Sequence, residues 1–209
     1  RPQPAADAGA HVSPWPLLAT RKGLLVTGLF TVQALMVYAI LSWLPYILIS
    51  RGLGAAAGGY LLGLVQVVSI PAVIVLLAMA ARPRLLRPAF MLTCLASLAG
   101  VTGLLLVPNG LVAVPAVFIG LGFGVFPLVM LMISRSGDSA AETTALSTLA
   151  QSVGYLFATL GPFGLGLLHE AAGGWTLPLI LLVAFAVLQL VLGYSLGSPA
   201  KAAAGRSRA

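Results

Sequence analysis

Charged residues divide the chain into long uncharged runs that predict membrane-spanning helices. The uncharged runs cover residues 23–50, 52–81, 88–134, 143–169 and 171–200. A helix needs about 20 mostly apolar residues to cross roughly 30 Å of hydrocarbon, so four of the runs suit one crossing each. The run 88–134 would be about 70 Å long as a single helix, and it must therefore fold back once. Its strong turn signal is Pro108-Asn109-Gly110.

These runs predict an all-α membrane protein with six transmembrane helices. The spans lie at roughly 23–49, 57–80, 88–107, 111–134, 144–168 and 176–197. About ten Leu, Ile, Val or Phe residues in each span favour insertion by roughly 3–6 kcal/mol, and one central charge would cost about 2.5–3.5 kcal/mol. The spans contain no Asp, Glu, Lys or Arg. A β-barrel would instead need alternating apolar and polar residues.

The composition agrees with lipid as the main solvent. The 209 residues are 60% hydrophobic and 7% charged, with a mean hydropathy of +1.08, whereas soluble domains are about 25% charged. This excludes a soluble enzyme, a disordered chain and a disulfide-stapled secreted domain. The single cysteine, Cys94, lies in an apolar run, where we expect it to be a small packed side chain.

The cations predict the orientation. One side of the membrane would carry nine of them, and Arg51 alone would lie on the other side. The nine are Arg21, Lys22, Arg82, Arg84, Arg87, Arg135, Lys201, Arg206 and Arg208. The positive-inside rule then places both termini in the cytoplasm, for a multi-pass protein of the plasma (inner) membrane. The formal net charge of +7 is explained without nucleic acid.

We divide the chain into a cytoplasmic linker at 1–20, a six-span unit at 21–197 and a disordered cytoplasmic tail at 198–209. The sequence starts with Arg1 and a proline-rich stretch, and we interpret it as a fragment of a larger protein. The six spans could form two triplets, spans one to three and spans four to six. Because each triplet has an odd number of spans, the second would be inverted in the membrane relative to the first. Two inverted three-helix repeats build one half of a twelve-span transporter.

Polar residues inside the spans mark candidate cavity walls. In the fifth span they recur at steps of three or four residues and so share one helix face. They are Thr144, Thr148, Gln151, Ser152, Tyr155 and Thr159. The first span has a similar stripe, formed by Thr27, Thr31, Tyr38 and Ser42, while Gln33 projects from another side and Trp43 lies near Pro45. The second span adds Gln66 and Ser69, and the third and sixth spans are expected to be lipid-facing scaffold. The alternative for every polar residue is a hydrogen bond between helices, worth about 0.6 kcal/mol.

Catalytic signals are weak. Gly120-x-Gly122-x-Gly124 lies in an apolar span with no preceding strand, which indicates helix packing rather than a phosphate loop. His169 falls at the end of a span, and Asp7 and Asp138 fall outside the spans, so an intramembrane protease lacks its catalytic groups. Metal ligands do not cluster, and we expect no cofactor.

Two stretches resemble one family of transporters. Gln33 to Tyr38, continuing to Ser42-Trp43-Leu44-Pro45, resembles the seventh span of the cyanate and nitroimidazole transporter family within the major facilitator superfamily. Ala145–Ser147, Ala150–Tyr155, Gly161-Pro162, Leu168–Glu170 and Gly174-Trp175 resemble its eleventh span and the following loop.

The resemblance covers nearly all of 21–197 and implies a twelve-span transporter whose first six spans are not in this sequence. It also implies that the fourth span, with Phe126 and Met130, forms a cavity wall. The basic stretch 81–87 is similar to a loop motif of the superfamily but lacks its aspartate.

Our hypothesis is a secondary transporter half that moves a small solute, a cyanate-like anion or a small nitrogen heterocycle, by alternating access. Its expected partners are the solute, the lipid bilayer and an N-terminal six-span half. The expected path-lining residues are Gln33, Tyr38, Trp43, Gln151, Ser152 and Tyr155. The alternative is a non-transporting or self-associating six-span membrane protein.

Overall fold

The computed structural model describes residues 13–197, with side chains described up to residue 196. Within this range the chain forms helices joined by short turns. The helices are α1 (Trp15–Leu18), α2 (Arg21–Ser50), α3 (Ala55–Ala80), α4 (Pro83–Leu106), a 3-10 turn (Asn109–Leu111), α5 (Ala113–Gly122), α6 (Val125–Ser134), α7 (Ala140–Ala158), α8 (Leu160–Ala172) and α9 (Thr176–Gly197). The predicted tail at 198–209 and the first twelve residues of the predicted linker lie outside the described residues.

The helices confirm the all-α membrane fold. In the described part of the chain, α2, α3, α4, α9 and the continuous segment Ala113–Ser134 are each long and apolar enough to cross a membrane. The predicted fifth span differs, because it is divided into α7 and α8 on either side of Thr159. Together these two helices reach roughly 50 Å, more than the roughly 30 Å of hydrocarbon.

Local sequence sets the helix boundaries. Thr20 caps α2 by accepting a hydrogen bond from the Gly23 N–H at 3.0 Å. Ser139 caps α7 in the same way by accepting from the Glu142 N–H at 3.1 Å, and the Glu142 carboxylate accepts from the Asp138 N–H. At the other end of the fifth span, α8 ends at Ala172 and is followed by Gly173, which has a φ of +67° that favours glycine.

The packing pattern is that of an inverted repeat. α2 packs along α7 and α8, α3 packs along α5, and α4 packs on α9. The first triplet consists of α2, α3 and α4, and the second consists of α5–α6, α7–α8 and α9. Exchanging the first span with the fourth, the second with the fifth and the third with the sixth leaves this set of pairs unchanged. The contacts between helices therefore carry the two-fold relation that the odd span number predicts.

Glycines on the second triplet let these helices approach closely. A Cβ on Gly154 would lie 2.2 Å from the Phe30 ring of α2, and one on Gly161 would lie 2.9 Å from the Leu35 carbonyl oxygen. On α5, a Cβ on Gly120 would lie 2.6 Å from the Val65 carbonyl oxygen of α3. In lipid the hydrophobic effect does not drive helices together. Small residues favour helix association instead, because they allow close approach and so increase van der Waals contact.

Basic side chains tie the helix ends together at both ends of the bundle. Arg51 donates from Nη1 to the Leu104 carbonyl at 2.9 Å and from Nη2 to the Val107 carbonyl, while Asn109 donates to the Arg51 carbonyl at 2.7 Å. We call this the Arg51 end. Cationic donors suit the unpaired carbonyls at a helix C-terminus.

The opposite end, which we call the Lys22 end, uses the same device. Lys22 donates from Nζ to the Ser136 carbonyl, and Arg135 donates to the Ala80 carbonyl at the end of α3, at 2.9 Å. The Arg87 guanidinium lies over the Tyr194 ring, 3.9 Å from its centroid. Lys22, Arg51, Arg87 and Arg135 therefore each have a structural role at the helix ends.

Part of the predicted linker is helical. Trp15–Leu18 form the single turn α1, which packs against α2, and Leu17 contacts the buried core. A Cβ on Gly23 would lie 2.0 Å from the Leu17 carbonyl oxygen, so Gly23 makes this contact possible. Proline at positions 14 and 16 fixes φ near −65°, which favours a helical first turn.

Substitution of Arg51 by alanine should lower the free energy of unfolding by roughly 1–3 kcal/mol, because two carbonyls lose a charged donor. The measurement is thermal unfolding of the purified protein in detergent. Arg84→Ala is the control, since Arg84 is exposed and forms no hydrogen bond within the described residues, and it should change stability by less than about 0.5 kcal/mol. Equal effects of the two variants would contradict a structural role for Arg51.

Gly154→Ala should destabilise the protein by about 1–3 kcal/mol, since the new Cβ forces the buried Phe30 ring to move. Gly63→Ala is the matched control, because Gly63 lies inside α3 with open space around it. Alanine is the better helix former there, so the control variant should be neutral or slightly more stable. The same thermal measurement compares them, and a neutral Gly154→Ala would show that α2 and α7 do not pack closely.

Candidate functional site

The candidate site begins where α2, α6 and α7 bring aromatic rings together. Phe30 is buried and contacts Phe126 and Tyr155, with ring centroids 5.7 Å and 5.2 Å away. Tyr155 in turn contacts Tyr38, at 6.4 Å in an edge-to-face arrangement. The buried Phe30 ring thus packs against Tyr155. The Tyr38 and Tyr155 side chains remain 45% and 38% exposed, respectively. Large exposed rings in an otherwise packed layer mark a surface that is open to a ligand or a partner.

Two cavities meet at this tyrosine pair, and we call them together the tyrosine cavity. One has a volume of about 290 Å³ and the other about 440 Å³, and both are lined by Tyr38 and Tyr155. The remaining lining residues are Ala34, Val37, Leu41, Phe123, Phe126, Ala158, Thr159 and Pro162. The breaks between α5 and α6 and between α7 and α8 both lie beside this space.

A third cavity of about 480 Å³, which we call the hydroxyl groove, lies along α6 and α7 toward the Lys22 end. It is lined by Met130, Ile133, Ser134, Thr143, Thr144, Ser147, Thr148, Gln151 and Ser152. The Gln151 side-chain N–H donates to the Ser147 hydroxyl at 2.7 Å, which leaves the Gln151 carbonyl oxygen available. Thr143 and Thr144 donate their hydroxyls to backbone carbonyls one turn earlier.

The lining of all three cavities is uncharged. Among the lining residues there is no Asp, Glu, Lys, Arg or His. The described residues also contain no group of three or more His, Cys, Asp or Glu that could hold a metal ion. The arrangement can therefore bind a compact solute through hydroxyl, amide and ring contacts.

The structure brings together four of the six residues that the sequence predicts for the path. Tyr38 and Tyr155 form the tyrosine cavity, and Gln151 and Ser152 line the hydroxyl groove next to it. Gln33 is not brought to either space: it is buried at 2% exposure, and its side-chain N–H group has no hydrogen-bond partner.

Trp43 is placed in a supporting position rather than on the cavity wall. Its indole N–H donates to the Pro162 carbonyl at 2.7 Å, and its ring lies against Gly166 of α8. The same ring contacts Trp175, which stacks on His169 with centroids 4.1 Å apart. Trp43 therefore holds α2 against α8 near the Arg51 end, and it fixes the position of Pro162, which does line the cavity.

Two expectations about polar stripes need correction. In the first span, Thr27 is buried without a hydrogen-bond partner for its hydroxyl, and the residues that line the cavity beside Tyr38 are apolar. In the second span, Gln66 is exposed and Ser69 donates back to the Gln66 carbonyl, and neither lines the tyrosine cavity or the hydroxyl groove. For the first span the reason is geometric, since α2 is central and much of its surface is covered by other helices.

Several lining residues were not singled out from the sequence. Ser147 could have been found because it lies one turn before Gln151 on the same face. Phe123 and Ala158 carry no sequence signal of their own, but each lies four residues before a proline. Leu41 lies four residues before Pro45 in the same way.

Comparisons with known proteins place this site in context. The family model described as Major Facilitator Superfamily matches residues 1–159. The chain is 33% identical over 184 residues to a 2-nitroimidazole transporter of Escherichia coli strain K12, covering 82% of this chain and 44% of that protein. It is 30% identical over 181 residues to the uncharacterized transporter YycB of Bacillus subtilis strain 168, covering 86% of this chain and 45% of that protein.

A third relative is the cyanate transport protein CynX of Escherichia coli strain K12. It is 30% identical over 138 residues, which cover 66% of this chain and 36% of the relative. The chain thus spans less than half the length of these curated relatives. All three relatives are named as transport proteins rather than enzymes.

The difference in burial between Ser152 and Gln33 can be tested with single cysteines in a Cys94→Ser background. Ser152→Cys should react with a water-soluble maleimide, because Ser152 is exposed in the hydroxyl groove, whereas Gln33→Cys should stay unlabelled. The extent of labelling is measured by the mass of the intact protein. Labelling of Gln33→Cys at the rate of Ser152→Cys would mean that the first span is turned differently.

Proposed function

The chain belongs to the Major Facilitator Superfamily, and on that premise we propose that it is one half of a secondary transporter that moves a small solute across a membrane by alternating access. The observation that carries the proposal is the open, uncharged surface of the tyrosine cavity and the hydroxyl groove on an otherwise apolar bundle. Polar groups in a membrane protein usually face a wet cavity or a neighbouring helix, and these face a cavity.

We infer that a second six-span half covers this surface. The relatives are about twice as long as the chain, so they have room for such a half. The solute would lie between the halves, with Tyr38, Gln151, Ser152 and Tyr155 as contacts and Trp43 as a support. Gln33 stays in the proposal as a buried residue close to the path. The remaining partner is the lipid bilayer.

The solute that we propose is a cyanate-like anion or a small nitrogen heterocycle. Two relatives are named for solutes of these kinds, and the cavity volumes of about 290–480 Å³ suit a compact molecule. We place the protein in the plasma (inner) membrane with both termini in the cytoplasm, because the cations outside the spans fall mainly at the Lys22 end.

Alternating access needs helices that can bend near the solute, and two helices are interrupted there. The α5–α6 segment is interrupted at Phe123-Gly124 and the α7–α8 pair at Thr159, both beside the tyrosine cavity. Sharp kinks in helices arise at proline and glycine, which are present at both places as Pro127 and Pro162 with neighbouring glycines. These are the points at which the wall could open and close.

A self-associating six-span protein is the second candidate. It is favoured by α3, whose outer face is widely exposed at Tyr60, Val67 and Ile70 and has open space beside Gly59 and Gly63. Small residues on an uncovered membrane helix allow another helix to approach. Under this alternative, the chain alone would form a defined oligomer in detergent and the solutes named above would not stabilise it.

The uptake test uses the full-length protein with Gln151→Ala and Tyr38→Phe, at matched surface expression. We expect each variant to raise the KM for solute by about threefold to tenfold, because one hydrogen bond to the solute is lost. Tyr60→Phe is the matched control, since Tyr60 is 80% exposed on α3, away from the cavities, and it should transport normally. Unchanged kinetics in both cavity variants would reject this site.

A further inference from the structure

A fourth cavity lies at the Lys22 end, outside the proposed solute path. Its volume is about 410 Å³, and it is lined by Arg82, Pro83, Arg84 and Leu85, which lead from the turn after α3 into the start of α4. We call it the arginine pocket. Both arginines are exposed, and no acidic residue lines the pocket. The pocket is thus cationic, whereas the lining of the other three cavities is uncharged.

The two arginines of the pocket differ from other basic side chains at this end of the bundle. Lys22 and Arg135 donate hydrogen bonds to backbone carbonyls, and Arg87 lies over an aromatic ring. Within the part of the chain that the structure describes, Arg82 and Arg84 form no hydrogen bond and no ion pair. Two guanidinium groups beside one cavity therefore have all their N–H donors available for a ligand.

An apolar stripe begins at the pocket and follows the exposed face of α4. After Leu85, the stripe continues through Pro88, Leu92, Leu95 and Ala99, at steps of three or four residues, and these four residues are exposed. From Leu85 to Leu95 the stripe is about 15 Å long, which is half of the roughly 30 Å of hydrocarbon in a bilayer. The pocket and the stripe therefore have the arrangement of a lipid headgroup above its acyl chain in one leaflet.

We propose that the arginine pocket binds the phosphate group of an anionic phospholipid, such as phosphatidylglycerol, with an acyl chain along the α4 stripe. Guanidinium groups bind phosphate through paired N–H donors. Arg82 immediately precedes the first residue of α4, and the N-terminal end of a helix favours an anion as well. Basic pockets at the ends of membrane helices recruit anionic headgroups. This lipid site is separate from the solute path and does not depend on the proposed transport function.

The charge and the stripe favour an anionic lipid over two other phosphate ligands. A zwitterionic phospholipid would bring its own cationic group close to two unpaired arginines, and like charges repel. A free phosphate ion would fit the pocket, but it has no acyl chain to contact the stripe from Leu85 to Ala99. An anionic phospholipid satisfies both the pocket and the stripe.

The test uses the full-length protein, stripped of lipid in a neutral detergent, and counts bound phosphatidylglycerol by native mass spectrometry as the lipid is titrated. Arg82→Gln and Arg84→Gln should each need about fivefold more phosphatidylglycerol to reach the occupancy of the wild-type protein, which is the effect of one basic side chain near an anionic headgroup. Arg84→Lys keeps the charge but loses the planar pair of donors, and it should fall between Arg84→Gln and the wild-type protein.

Arg21→Gln is the matched control. Arg21 is an exposed cation at the same end of the bundle, and it does not line the pocket. The control therefore removes the same charge and should bind phosphatidylglycerol like the wild-type protein. Thermal unfolding of each variant in phosphatidylcholine nanodiscs confirms that it is folded before lipid binding is compared. Phosphatidylcholine, inorganic phosphate and glycerol 3-phosphate are then tested as competitors for the bound phosphatidylglycerol.

Weaker phosphatidylglycerol binding in both pocket variants, with normal binding in Arg21→Gln, supports the lipid site. Unchanged binding in the pocket variants, or an equal loss in Arg21→Gln, would overturn it. Competition by phosphatidylcholine at the same concentration as phosphatidylglycerol would show that the net charge of the lipid has no role. Equally strong competition by inorganic phosphate or glycerol 3-phosphate would show that the pocket binds a soluble anion and that the stripe has no role. Solute uptake is not a readout here, so each of these outcomes leaves the proposed transport function in place.

Discussion

Satisfaction of backbone polar groups in lipid is the constraint on which the rest of this structure depends. An unpaired N–H or C=O costs several kcal/mol in hydrocarbon, so the chain crosses the membrane as helices. Wherever a helix is interrupted or ends, its free backbone groups need another hydrogen-bond partner. At the Arg51 end, Arg51 serves the Leu104 and Val107 carbonyls. At the Lys22 end, Arg135 serves the Ala80 carbonyl. Inside the bundle, Thr93 serves the end of α5. These polar side chains thus mainly donate hydrogen bonds to backbone carbonyls.

The same constraint explains where the helices are interrupted. A break at Thr159 or at Phe123-Gly124 interrupts the regular helix, and such breaks are tolerated only where protein or a wet cavity lies beside them. Both breaks here lie at the cavity that Tyr38 and Tyr155 line. The bundle is thus tightly packed where glycines meet Phe30 and Leu35, and irregular where a solute would be held.

The fold could be predicted almost entirely from the sequence, because lipid imposes so few choices. The predicted first span, 23–49, corresponds to α2 at Arg21–Ser50, and the predicted second span, 57–80, corresponds to α3 at Ala55–Ala80. The fourth and fifth spans are the exceptions, since each is divided into two helices, at Phe123-Gly124 and at Thr159, and apolar content does not show where such breaks fall. The site was predicted less well. Helical periodicity identified the face of Tyr155, but it could not show that Gln33 would be covered by neighbouring helices.

By itself, the sequence determined that this is a helical membrane protein, where its spans lie and on which side of each span the cations fall, because hydropathy and charge act residue by residue. Only the tertiary structure decided which polar side chains are buried and which are open, and that two interrupted helical segments meet at one cavity. Those properties depend on how helices that are distant in sequence pack together. Packing of this kind is set by shape, by glycines that accept Phe30 and Leu35, and not by the hydropathy of any single span.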